Sequence, residues 1–124
     1  MSSPRTIVVL GASANPARYS NMLIRRLKGR TDYAVIPVNP AQPSIEGLPV
    51  SESLASVEPG PDLLTLYVSP AHSVGMQADI ERLKPGKVIF NPGAENPALE
   101  AALNRAGIAT ENACSLVLLS QNDL

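Results

Sequence analysis

Thr6-Ile-Val-Val-Leu10, followed by Gly11-Ala12-Ser13-Ala14-Asn15-Pro16, decides how the rest of the chain is read. A short run of apolar and β-branched residues suits a strand buried on both faces. A glycine and small residues at its end suit a tight turn that lets a ligand approach the backbone closely. Six cations, Arg5, Arg18, Arg25, Arg26, Lys28 and Arg30, precede the first acidic residue, Asp32, so residues 1–30 carry a formal charge of +6 in a chain whose net charge is −1. A buried strand, a small-residue turn and a one-sided positive field together describe a place where phosphate is held.

Outward from that stretch, strand-like and helix-like segments alternate, the signature of an α/β fold with a parallel sheet covered by helices on both faces. About five strands are expected: residues 6–10, 33–38, 62–68, 87–90 and a weaker one near 108–111. Pro37 inside the second run points to an edge position or a bulge. Helices are expected over 20–29, where Leu23, Ile24 and Leu27 share a face, over 70–84, with Met76, Ile80 and Leu83 inward, and over 97–106. The last has Asn96 as N-cap, Pro97 in the first turn and Gly107 as stop. A Pro, Ser and Gly-rich loop runs from Asn39 to Ser53, with a short helix near 53–57.

With 124 residues, 44% of them apolar, the chain reads as one domain, residues 1–124, with one core. A net charge of −1 and 3% aromatic content argue against nucleic-acid binding, which needs a broad basic face or stacking platforms. No apolar stretch reaches membrane-spanning length, so no membrane partner is expected. The single cysteine, Cys114, suits a reducing compartment, and a cytoplasmic location is expected. One His and one Cys offer too few soft ligands for a metal site.

In an open parallel sheet, ligands bind beyond the carboxyl ends of the strands where strand order reverses. After the first strand, Gly11 to Ser20 lead into a helix whose free N–H groups favour an anion. Ser13 and Ser20 offer hydroxyls, and Arg18 a charge-assisted pair. An NAD-binding fold places Asp or Glu at the carboxyl end of the second strand, where this chain has Val38-Asn39-Pro40. Asp32 stands before that strand, about six residues at ~3.3 Å each from the crevice. The turn does not match Gly-x-Gly-x-x-Gly, and there is no Gly-Lys-Ser/Thr for a triphosphate.

Val9-Leu-Gly-Ala-Ser13 with Pro16 and Ser20, Val35-Ile-Pro-Val-Asn-Pro40, Gly47 with Pro49-Val50 and Ser53-Leu54, Phe90-Asn-Pro-Gly-Ala-Glu-Asn96, and Ala106-Gly107 with Ala113-Cys114-Ser-Leu-Val-Leu-Leu119 together resemble the small cytoplasmic CoA-binding proteins. That domain is also similar to the N-terminal part of the succinyl-CoA synthetase alpha subunit. The resemblance runs over nearly the whole chain, and it is the order and spacing of the pieces that make it specific. It implies a doubly wound, Rossmann-like fold that holds coenzyme A or an acyl-CoA across the strand ends. Gly11, Ala12, Ser13 and Ser20 would line the pyrophosphate, with Arg18 as phosphate partner. Val38, Asn39 and Pro40 would bracket adenine and ribose. Val68-Ser69-Pro70 and Asn91-Pro92-Gly93 would border the pantetheine arm. Relatives often carry more basic or polar residues in the first loop than Ala14 and Ala17, and Gln42 is a candidate contact for the ribose 3′-phosphate.

No catalytic residue is assigned. His72 is expected in the first turn of the third-strand helix as a capping or packing residue, because no relay partner is evident in sequence. The second domain of the ligase relatives, with its phosphorylated histidine, has no counterpart in these residues. Glu95 is expected as a solvated residue ahead of an N-cap, with a general-base role as the alternative. Cys114 is expected as an inert core thiol, the alternative being a mixed disulfide with a bound CoA thiol. The expected function is a non-catalytic module that senses or carries CoA. An NAD(P)-dependent oxidoreductase or a ligase-like enzyme on the same fold is the alternative.

Overall fold

The computed structural model describes residues 3–124. Five parallel strands, β1 (Arg5–Leu10), β2 (Tyr33–Val38), β5 (Leu63–Leu66), β6 (Lys87–Phe90) and β7 (Ala109–Asn112), form one sheet in the order β2-β1-β5-β6-β7. Between β2 and β5 the chain makes a small antiparallel hairpin of β3 (Ser44–Ile45) and β4 (Leu48–Pro49), then a 3₁₀ turn over Leu54–Ser56. The helices are α1 (Tyr19–Leu27), α2 (Pro70–Ser73), α3 (Gln77–Leu83), α4 (Pro97–Arg105) and α5 (Ser115–Ser120).

Side-chain alternation along β1 explains why helices cover both faces. Val8 and Leu10 join a core with Leu64, Leu66, Ile80, Leu83, Val88, Phe90 and Leu103, under α3 and α4. Ile7 and Val9 join the opposite core with Leu23, Ile24, Leu27, Ile89 and Leu119, under α1 and α5. Leu23, Ile24 and Leu27 are fully buried, each contributing about 1.5–3 kcal/mol by leaving water.

Strand order reverses at β1: the chain goes first to β2 on one side, then to β5, β6 and β7 on the other. β2 is one of the two edge strands, with β7 at the other side, and an edge position accommodates Pro37. Beyond β2 lies only an isolated parallel bridge between Val38 and Ser51. There the Ser51 N–H donates to the Pro37 carbonyl at 2.9 Å, and the Asn39 N–H to the Ser51 carbonyl at 3.0 Å. The missing N–H of Pro37 falls on this sparsely bonded side, where it costs the sheet no ladder bond.

Three elements depart from the sequence expectation. The helix expected over 70–84 is broken into α2 and α3, the chain bending at Gly75 and at Met76 (φ −100°, ψ 0°); glycine is a poor helix residue. The loop from Asn39 to Ser53 contains the β3–β4 hairpin, turned by Glu46 (φ 51°) and Gly47 (φ 77°), the two left-handed residues that such a tight turn requires. Helix α5 had no expected counterpart, because Leu-Val-Leu-Leu is apolar all round and shows no helical period. The strand expected over 62–68 pairs only over Leu63–Leu66, and the one expected near 108–111 lies over Ala109–Asn112. No helix among the described residues is long and apolar enough to cross a membrane.

Candidate functional site

A cleft of about 680 Å³ opens at the carboxyl ends of the strands, across the point where their order reverses. The backbone holds its floor. The Tyr67 N–H donates to the Leu10 carbonyl at 2.9 Å and the Ala12 N–H to the Val38 carbonyl at 3.2 Å, so the turn after β1 is tied to both neighbouring strands. Gly11 has φ +84°, and a Cβ there would stand 3.0 Å from Val68 Cγ1 and 3.1 Å from the Tyr67 carbonyl carbon and oxygen. The positive φ favours glycine whatever the space, and the crowding adds to it.

From Ser13 to Arg18 the chain folds onto itself. The Asn15 N–H donates to Ser13 Oγ at 3.0 Å, the Ala17 N–H to Asn15 Oδ1 at 3.0 Å and the Arg18 N–H to the Asn15 carbonyl at 3.0 Å. Ser13 Oγ accepts in this arrangement and keeps its proton to donate elsewhere. Asn21, fully buried, donates through Nδ2 to the Ser13 carbonyl at 2.9 Å and to Glu46 Oε2 at 3.2 Å, which fastens turn, α1 and hairpin together. No side chain caps α1, and its first-turn N–H groups are left for another acceptor.

The one-sided positive field of the sequence is mostly spent on structure. Arg25 donates to Asn21 Oδ1 at 2.8 Å and to the Pro16 carbonyl at 3.0 Å. Lys28 pairs with Glu46 and Arg30 with Asp32, and Arg5 donates to the Leu124 carbonyl. The Arg30 guanidinium, hydrogen-bonded to Asp32, holds that carboxyl below its ordinary value. Arg18 and Arg26 remain, and of these two Arg18 lines the cleft; neither enters any of the three ion pairs found among the described residues.

Of the sequence-predicted residues, Gly11, Ala12, Ser13, Arg18, Ser20, Val38, Asn39 and Pro40 line this cleft together. Ser69, Pro70, Asn91 and Gly93 do not; from their segments it is Val68 and Pro92 that reach it. Asn91 is 1% exposed and committed inward. Its Nδ2 donates to Thr65 Oγ1 at 2.6 Å and to the Leu66 carbonyl at 2.8 Å, while its Oδ1 accepts from the Ser115 N–H at 2.9 Å. Gly93, with φ +94°, closes a turn in which its N–H donates to Glu95 Oε1 at 2.8 Å, so Glu95 serves that turn. Cys114 is half-buried at the start of α5 and outside the cleft lining. Gln42 is outside the lining too.

Sequence reasoning missed part of the wall: Tyr19, Glu52, Tyr67, Met76 and Asp79 also line the cleft. So does His72, whose Nδ1 lies 2.8 Å from Ser69 Oγ, the partner that was not evident in sequence. The Tyr67 hydroxyl is buried without a hydrogen-bond partner, and the nearby Thr65 and Ser115 hydroxyls bond each other at 2.7 Å. Burial pushes its pKa up to about 12, with Ser115 and Thr65 pulling weakly the other way.

Residues 5–120 match the family described as CoA binding domain. A crystal structure of a protein described as uncharacterized is similar over 99% of this chain and all of its own, at 33% identity and a TM-score of 0.89. A Thermus thermophilus protein is similar over 98% of this chain and 91% of its own, at 30% identity and a TM-score of 0.85. The dinucleotide-forming acetyl-coenzyme A synthetase 1 of Ca. Korarchaeum cryptofilum, solved with phosphate and ADP, shares the fold over 90% of this chain and 26% of its own, at 21% identity and a TM-score of 0.73.

Proposed function

This chain belongs to the CoA-binding domain family, and from that premise we propose that residues 1–124 act as a single domain binding coenzyme A or an acyl-CoA in the cleft at the strand ends. The diphosphate lies at the turn Gly11-Ala12-Ser13, between the uncapped start of α1 and the Arg18 guanidinium. The Ser13 and Ser20 hydroxyls donate to it. Adenine and ribose lie along Val38-Asn39-Pro40, and the pantetheine arm runs past Val68 and Pro92 toward Ser69, Pro70 and Gly93. One observation carries this reading: an arginine without an ion-pair partner among the described residues shares a cleft with a turn whose glycine has φ +84° and closely packed neighbours that disfavour a Cβ.

The module holds its ligand without transforming it, as a sensor or carrier in the cytoplasm. No catalytic role is assigned to His72, whose Nδ1 lies 2.8 Å from Ser69 Oγ within one helical turn. The test is a thermal-shift panel of CoA, acetyl-CoA, NAD, NADP and ATP. A ligand present at 100 times its dissociation constant stabilises the fold by about 2.7 kcal/mol, and CoA or acetyl-CoA is expected to do so. Selective stabilisation by NAD overturns the reading, and release of free thiol from bound acetyl-CoA overturns its non-catalytic part.

A further inference from the structure

The cleft carries its charges unevenly. Its lining includes one arginine and no lysine, against two carboxylates, Glu52 and Asp79. Arg25, Lys28 and Arg30 are bonded within the protein, so they do not supplement Arg18. One guanidinium and the open end of α1 match a diphosphate. A phosphate monoester on the ribose would add a further charge of about −1.5 to −2.

The backbone fixes where the first carboxylate stands. Ser51 is bonded to Pro37 and Asn39 on the outer edge of β2, so the next residue, Glu52, lies beside Val38-Asn39-Pro40. The donors of Asn39 are already used. Asn39 Nδ2 donates to the Ala12 carbonyl at 2.8 Å, and Asn39 Oδ1 takes the N–H groups of Ala41 at 2.7 Å and Gln42 at 3.2 Å. A ribose placed there meets an acceptor. A carboxylate beside a ribose accepts hydrogen bonds from its free hydroxyls and repels a phosphate in their place.

We infer that the cleft prefers an adenosine 5′-diphosphate–pantetheine conjugate whose ribose hydroxyls are both free, 3′-dephospho-CoA, over CoA itself, and that Glu52 makes the distinction. The inference rests on the proposed placement of the diphosphate at the Gly11 turn. NAD and ADP share the free ribose and differ in the arm.

Calorimetry at low ionic strength, where an exposed carboxylate is least screened, tests it with dephospho-CoA, CoA, NAD and ADP. Dephospho-CoA is expected to bind at least five-fold tighter than each of the others. Glu52→Lys is expected to bring the ratio between dephospho-CoA and CoA to one or to reverse it. Should that variant not fold, Glu52→Gln is expected to lower the ratio at least two-fold. CoA binding as tightly as dephospho-CoA overturns the inference and leaves the CoA-binding reading standing. NAD or ADP matching dephospho-CoA overturns the assignment of the arm and the inference with it. An unchanged ratio in a folded Glu52 variant removes Glu52 from its role, and no binding by either carrier overturns both readings.

Discussion

The side-chain amide of Asn39 donates to the carbonyl of Ala12 at 2.8 Å and so joins the end of β2 to the turn after β1. A dinucleotide fold for NAD uses the same position for a carboxylate facing the ribose. Here the Asn39 side chain is spent on the protein, since its Oδ1 also holds the Ala41 and Gln42 N–H groups. Asn39→Asp keeps that acceptor and sets a carboxylate oxygen against the Ala12 carbonyl. The expected result in urea denaturation is a loss of about 1–3 kcal/mol, with no NAD binding gained by calorimetry. Unchanged stability with new NAD affinity would mean that Asn39 is free to turn toward a ligand.

Gly11→Ala is expected to damage fold and site together. The φ of +84° and the 3.0 Å approach to Val68 Cγ1 would each be violated, at a combined cost of about 2–3 kcal/mol. Loss of ligand-induced stabilisation should accompany the fall in Tm.

Arg18→Ala should do the opposite, leaving the unliganded Tm where it was, since the side chain caps nothing and enters no ion pair among the described residues. CoA affinity should fall roughly ten-fold, about 1.4 kcal/mol. Its salt dependence should flatten, because the screened attraction is gone. Titration calorimetry at two ionic strengths reads both effects, and an unchanged affinity would remove Arg18 from the site.

Tyr67→Phe removes a hydroxyl that is buried without a partner, so it should be neutral or stabilising by up to ~1 kcal/mol. The pH dependence has a definite sign. The folded pKa, about 12, lies above the ordinary value of 10.0 because burial disfavours the phenolate. The protonated phenol's contribution is therefore complete below pH 10 and is lost as pH rises toward 12. Wild type should lose stability across that window, and Tyr67→Phe should lose measurably less in parallel denaturant titrations.

What the sequence made legible follows from locality. β1 is a run of adjacent apolar residues, α4 carries its own N-cap, with Asn96 Oδ1 accepting from the Leu99 N–H at 3.1 Å, and Pro37 marks an edge by chemistry it cannot hide. Gly11 to Ser20 and Val38 to Pro40 meet in one cleft because each directly follows a strand of known direction. What escaped depends on contacts distant in sequence. Asn91 was read as a lining residue, yet its atoms are taken by Thr65 and Ser115, 26 and 24 residues away. The early cations looked like a field for a ligand, but Lys28 answers to Glu46 across 18 residues. Glu52 reaches the cleft beside the end of β2 only because an isolated bridge brings Ser51 back to Val38. No local pattern announces that return.

A crystal of the protein grown with saturating CoA or dephospho-CoA tests the central claim most directly. The account predicts a diphosphate seated on the Gly11-Ala12-Ser13 turn, within hydrogen-bonding distance of the Arg18 guanidinium and the first N–H groups of α1. A cleft left empty at saturation, or a carrier bound with its diphosphate away from this turn, would contradict it.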